Sequence, residues 1–231
     1  MTRVTIHQPN YLPYLGILDK IDRADVFVLL DTAQYVRDQF MNRNQIRTRQ
    51  GSAWLTIPIP VSDCYLKRIC DVPLPADGRW REKHWKSIQT HYGGSRHFEE
   101  YAPPLCELYA REWPGLSRMS EAILAWLLDA FGIRSRILRA SEMDLGPELR
   151  ASDLLVDIAK RVGAERYLSG ASGRKYLEAE KFVRAGVALE FQDYHHPTYR
   201  QRFEGFVKNL AAIDLLFNEG PDSLRVLRSG R

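Results

Sequence analysis

Thiols are scarce: Cys64, Cys70 and Cys106 are all the cysteine in 231 residues. The number is odd and the spacing fits no zinc-ligand pattern. Neither a disulfide framework nor a structural zinc is expected, and reduced thiols in a cytoplasm are. No run approaches the roughly 18 uninterrupted apolar residues of a membrane span. The opening MTRVTIHQPNYLPYLG has no apolar signal core and soon meets Pro9 and Pro13, so no signal peptide is expected. Repeats, low-complexity runs and linkers are missing too. A large charge imbalance is absent: 33 Lys and Arg stand against 29 Asp and Glu, a net +4. That surplus permits an anionic partner without requiring one. What is present is an ordinary globular composition, 45% hydrophobic and 27% charged. A chain of this size buries a core without staples.

Hydrophobic patterning predicts alternating strands and helices. Val4-Thr5-Ile6 reads as a short buried strand, Ile17–Asp22 as a helix and Val26–Leu30 as a second buried strand ending at Asp31. Strand, loop, helix and strand within about 30 residues favour a parallel sheet. Trp54–Val61 reads as an edge strand because of its two prolines, with Tyr65–Leu74 as its neighbour. Helices are predicted over Trp80–Tyr92, from Pro103-Pro104 onward, over Ser117–Phe131, over Ser152–Val162 with Ser152 as cap, and over Phe206–Phe217. Strands are predicted over Ser135–Ala140, Arg166–Leu168 and Val187–Tyr194. The expected fold is one α/β domain over 1–231, with a mainly parallel, Rossmann-like sheet. A sheet-edge insertion is expected near 32–75 and a helical insertion near 80–131.

In open α/β sheets ligands sit where loops leave the strands, and three such segments carry polar and aromatic residues. In the first, His7 ends strand one, where an imidazole can act as general base or hold a ligand. Gln8 and Asn10 follow, and Tyr11 and Tyr14 can stack on a flat ligand. The second joins Asp31 and Gln34 to Asn42, Arg43 and Asn44. Arg43 offers a fork for phosphate or carboxylate, and Asn42 and Asn44 share one side of an extended segment. The third is Ser169-Gly170-Ala171-Ser172-Gly173 with Lys175 and Tyr176. Its small residues let backbone N–H groups approach a phosphate, although the spacing is not that of a P-loop. Near the C-terminus His195-His196 precedes Tyr199. Adjacent histidines point to opposite faces of an extended chain, so no shared metal is expected.

The segments HQPNYLPYLGILDKIDRADVFVLLD, NRNQIR, WLTIPI, YLSGASGRKYL and HPTYRQRFEGFVKNLAAIDLLFNEG resemble the WbqC-like protein family, in order and over nearly the whole chain. The setting of that family in surface-polysaccharide gene clusters, notably those for O-antigens of lipopolysaccharide, implies a cytoplasmic enzyme acting on a nucleotide-linked sugar or similar amine. HQPNYLPYLGILDKI is also similar in layout to the opening of HxGH nucleotidylyltransferases. Aligned on Leu15-Gly16, their two phosphate-binding histidines fall on Tyr14 and Ile17. Ile17 can neither donate a hydrogen bond nor carry charge, which argues against the same nucleotidyl transfer.

Within what the family resemblance implies, the expectation is an amide-forming acyl or aminoacyl transferase, for example a glycyl transferase. His7 is the first choice of base and His196 the second, with Asp31 orienting. Arg43 and the 169–173 loop would hold an anionic group. The donor would be an aminoacyl-tRNA, acyl-CoA or an ATP-derived acyl group. A transfer RNA partner would use the Arg-rich stretch Arg37–Arg49, with strongly salt-dependent binding. The alternatives are a nucleotide-sugar-binding assembly protein without catalysis and a nucleotidyl or adenylyl transferase.

Overall fold

Val4, Thr5 and Ile6 are fully or almost fully buried, because their strand lies in the middle of the sheet. The computed structural model describes residues 1–231. The chain runs β1 (Arg3–His7), α1 (Leu15–Asp22), β2 (Val26–Leu29), β3 (Arg43–Thr48), β4 (Gly51–Thr56), α2 (Val61–Cys64), α3 (Arg79–Tyr92), α4 (Phe98–Ala110) and α5 (Leu116–Phe131). It continues through β5 (Arg136–Arg139), α6 (Ala151–Arg161), β6 (Arg166–Ser169), α7 (Ala179–Arg184), β7 (Ala188–Phe191), α8 (Ile213–Glu219) and α9 (Ser223–Arg228). No helix is long and apolar enough to cross a membrane.

Five strands form one parallel sheet in the order β5-β2-β1-β6-β7. The direction of winding reverses between β1 and β6, where the loops leaving neighbouring strands part and open a crevice. The two-residue period of the strands divides the core. Phe27 and Leu29 join the larger apolar cluster with α1, α3, α4, α5 and α8. Val4, Ile6, Val26 and Val28 join the smaller cluster on the opposite face with α6 and α7.

The hairpin β3–β4 is antiparallel and separate from the main sheet. The neighbour of the WLTIPI segment is thus Arg43–Thr48, in place of the expected Tyr65–Leu74. Pairing ends at Thr56. Ile57 is then held by Asn42, whose carbonyl accepts from Ile57 N at 2.8 Å and whose Nδ2 donates to Ile57 O at 3.0 Å. Pro58 and Pro60, lacking N–H groups, cannot extend the ladder.

Four other boundaries differ from expectation for identifiable reasons. Helix α4 starts at Phe98, before its prolines. Pro103 and Pro104 deprive the carbonyls of Glu99 and Glu100 of helix donors, but both glutamates are exposed, where solvent can take the donors' place. Ser152 lies inside α6 rather than capping it, and its Oγ accepts instead from Glu178 N at 3.0 Å. The last strand stops at Phe191, one residue before Gln192 N makes its bond to Ser169 O, because β6 offers no further partner. The predicted helix over Phe206–Phe217 begins only at Ile213. Gly205 and Asn209 take φ +72° and +63°, and left-handed residues do not sit inside a right-handed helix.

Candidate functional site

The crevice at the reversal between β1 and β6 is a cleft of about 430 Å³. His7 and Ser169, the last residues of those strands, form its floor with Ile6 and Tyr167. Tyr14, Ile17 and Lys20 enter from α1 and the residue before it. Gln192, Tyr194, His196 and Asn209 close it from the segment after β7. Gly16 lets the Tyr14 ring fold back over the start of α1, since a Cβ there would lie 2.6 Å from that ring. Gly173 lies beneath the loop after β6, where a side chain would collide with Ser169 Oγ. A second cleft of about 600 Å³ shares His7, Tyr14 and Asn209 with the first. It extends toward Gln8, Asn10 and the loop residues Gln39 and Phe40.

No aspartate or glutamate lines either cleft. The one amine in the first cleft is that of Lys20, which is 3% exposed and donates from Nζ to Ile6 O at 3.2 Å. Burial without an anionic partner pushes its amine down to about 7. Burial, followed by the charge of Lys20, pushes the His7 imidazole down to about 3. His7 is therefore neutral at physiological pH. Its Nδ1–H donates to Gln8 O at 2.9 Å, a tautomer that leaves the Nε2 lone pair free. His196 is arranged alike, with Nδ1 donating to Pro197 O at 2.9 Å. Its Nε2 is buried without a partner. Burial lowers its basicity too, and nearby Lys208 adds to this. The Tyr194 hydroxyl is also buried and unpartnered. A cationic, carboxylate-free pocket with unfilled donors and acceptors suits an anionic polar ligand.

The WbqC-like protein family model matches residues 8–226. The chain belongs to the WbqC-like protein family. It is similar over its length to uncharacterized protein Rv1507c of Mycobacterium tuberculosis (strain ATCC 25618 / H37Rv). The two are 31% identical over 234 residues, covering 99% of this chain and all of the mycobacterial one.

In this WbqC-like chain, seven of the sequence-predicted residues meet at the first cleft: His7, Tyr14, Ser169, Gly170, Ser172, Tyr176 and His196. Gln8 and Asn10 line the second. The paired histidines separate as an extended chain requires, His196 inward and His195 83% exposed beside Asp193. No group of three His, Cys, Asp or Glu residues is placed to hold a metal ion.

The other predicted residues lie elsewhere. Tyr11 is fully buried and bonds to His84 Nδ1 at 2.8 Å and to the Tyr109 hydroxyl, so it stacks on no ligand. Asp31 is 2% exposed, and its oxygens accept from Ser141 N at 2.8 Å and Ser141 Oγ at 2.6 Å. It orients the turn after β5, and it lines neither cleft. Asn42, just before β3, and Asn44 within it are both buried as one side of an extended segment demands, but they hold the backbone carbonyls of Ile57 and Leu12. Arg43 lies over Trp54 at 4.4 Å, Gln34 bridges to Arg68, and Lys175 is exposed. Tyr199 donates to Asp214 Oδ2 at 2.8 Å, and its ring stacks on His196, which it positions.

Lys20, Gln192, Tyr194 and Asn209 are among the lining residues that sequence reasoning missed. Gln192 donates from Nε2 to Gly16 O at 2.8 Å and Asp19 Oδ2 at 2.7 Å, tying the final segment to α1. No local signal marks Lys20, because Asp19, Asp22 and Arg23 stand beside it in sequence as on a solvated helix face, and its burial comes from the segments that pack over α1.

Proposed function

We propose that this WbqC-like protein is a cytoplasmic transferase that forms an amide on the amino group of a nucleotide-linked sugar or similar amine, in surface-polysaccharide assembly. The reading assumes one Rossmann-like α/β domain, which the strand order favours, since numbering the five parallel strands along the chain gives 3-2-1-4-5. The observation that carries it is the carboxylate-free cleft at the winding reversal, with Lys20 as its buried cation. Tyr14 and Ile17, at the positions of the two histidines in the HxGH layout, both face this cleft. Lys20 stands one turn beyond Ile17 and supplies the charge that Ile17 lacks.

In this reading Lys20 and the loop after β6 hold phosphate, and the acceptor amine lies between the two imidazoles. The amine attacks the activated acyl carbon, the bond to the donor's leaving group breaks, and the amine proton passes through a base to that leaving group. His196 suits the base role better than His7. Its Nε2 is shielded and unpartnered, whereas the basicity of His7 is too depressed for efficient proton uptake at neutral pH. His7 Nε2 remains an acceptor that orients the amine.

A thermal-shift panel of nucleotide amino sugars, ATP with magnesium, acyl-CoA and transfer RNA tests this. A ligand at about 100 times its Kd adds roughly 2.7 kcal/mol, or about 5 to 10 °C for a chain this long. The expected result is a shift with nucleotide amino sugars, followed by an amide product in mass spectrometry. A shift with ATP alone and release of pyrophosphate would replace amide transfer by nucleotidyl transfer. Once turnover is seen, His196→Ala is expected to lower kcat about 100-fold or more with little change in KM. An unchanged kcat would remove His196 from the reaction.

A further inference from the structure

The second cleft has a composition unlike the first. Four carboxamides, Gln8, Asn10, Gln39 and Asn209, line it, and none of these side chains hydrogen-bonds to another protein group. Between them lie the Tyr14 ring and three apolar side chains, Val36, Phe40 and Met41. Val36 and Phe40 are 48% and 46% exposed, large apolar groups left open to water beside a polar pocket. The backbone beneath Phe40 is anchored, because its carbonyl accepts from Tyr11 N at 2.9 Å. The cleft contains no group of fixed charge.

We infer that this second cleft is a nucleobase subsite, in which the base packs against Phe40 while its edge hydrogen-bonds to the carboxamides. The inference rests on the nucleotide reading above and assigns the part of the ligand that lies away from Lys20. Each carboxamide presents both a donor and an acceptor, as base edges do, and neither repels a neutral heterocycle. An aliphatic acyl chain of the same volume would cover Phe40 equally well. It would leave up to four amides desolvated and unpaired, at about 1 to 3 kcal/mol each. Continuity favours the base as well. The clefts meet at His7, Tyr14 and Asn209, so a ligand with phosphate beside Lys20 reaches the second cleft through the same wall. A base stacked on an aromatic side chain typically loses about fivefold or more in affinity when that side chain is truncated.

The test compares AMP, GMP, CMP and UMP with ribose 5-phosphate by titration calorimetry, on the wild type and on Phe40→Ala and Phe40→Trp. Phe40 is surface-exposed, so both variants are expected to fold. At least one nucleotide should bind about tenfold more tightly than ribose 5-phosphate. Phe40→Ala should erase most of that preference and leave ribose 5-phosphate binding unchanged, and Phe40→Trp should retain it. Equal binding of ribose 5-phosphate and all four nucleotides would overturn the subsite while sparing the phosphate reading. Full base preference in Phe40→Ala would overturn it too. Should no phosphorylated probe bind, the phosphate reading fails and the free nucleosides decide. Nucleoside binding that depends on Phe40 keeps the base subsite, and its absence overturns it.

Discussion

Replacing Lys20 by methionine is expected to raise the melting temperature at neutral pH while abolishing the binding of phosphorylated ligands. The amine has its ordinary value of 10.5 in the unfolded chain and about 7 in the folded one. Below about pH 7 both states hold the proton, and the folded state carries the whole cost of a buried, unpaired ammonium. Between about pH 7 and 10.5 the unfolded chain holds a proton that the folded chain has released, so stability rises with pH across that window. The full rise is on the order of 4 kcal/mol. Lys20→Met removes that cost together with one hydrogen bond to Ile6 O, itself about 1 kcal/mol. The gain near pH 7 should be about 2 to 3 kcal/mol, or roughly 5 to 10 °C. Calorimetric melting from pH 6 to 10 checks this. The two proteins should differ most at the acid end and converge toward pH 10, and parallel curves would refute the assignment. The gain would also mark Lys20 as a functional residue kept at the expense of stability.

The same amine makes ligand binding depend on pH in the opposite sense. An anion bound beside Lys20 favours its protonated form, so binding above pH 7 takes up a proton. Affinity for a phosphorylated ligand should fall about tenfold per pH unit above that point, and the fall should be absent in Lys20→Met.

Arg47→Met should have the largest destabilising effect in the chain, about 3 kcal/mol or more. Arg47 is 2% exposed on β3. Its guanidinium donates to Thr48 O at 2.6 Å and Gly51 O at 2.8 Å within the hairpin. Across the fold it donates to the carbonyls of Phe203, Glu204 and Gly205 at 3.5, 2.5 and 3.1 Å. A planar five-donor fork reaches all of these at once, and an ammonium does not. Arg47→Lys should therefore recover less than half of the loss. Methionine leaves the carbonyls without a donor and frees residues 200–209, which include Asn209 between the two clefts. Denaturant midpoints measure the loss, and hydrogen exchange should quicken in that segment more than in β1. An Arg47→Lys protein as stable as the wild type would show that charge, rather than the fork, matters there.

Much of this molecule was legible in the linear order of its residues. The buried strands at Val4-Thr5-Ile6 and Val26–Leu30 and the helices over Trp80–Tyr92 and Ser117–Phe131 follow from hydrophobic period and glycine stops. These signals are local, and the structure agrees with them to within a residue or two. The loops after β1 and β6 were legible as cleft-lining because polar and small residues follow a buried strand. The opposite orientations of His195 and His196 follow from the extended chain. Tertiary structure decided what local signals cannot carry. The partner of a strand is chosen by contacts distant in sequence, so β3 rather than Tyr65–Leu74 pairs with β4. Arg43, Arg47, Asn42 and Asn44 look alike on paper as polar residues of one short segment. Only the segments packed against them turn Arg47 and the two asparagines into backbone clamps and leave Arg43 on Trp54. Asp31 was open to a catalytic role until Ser141, which follows β5, met its carboxylate. Lys20 became a buried cation because the strands, α1 and the segment after β7 close around it together. Burial, and the electrostatics that follow from it, is a property of the assembled fold.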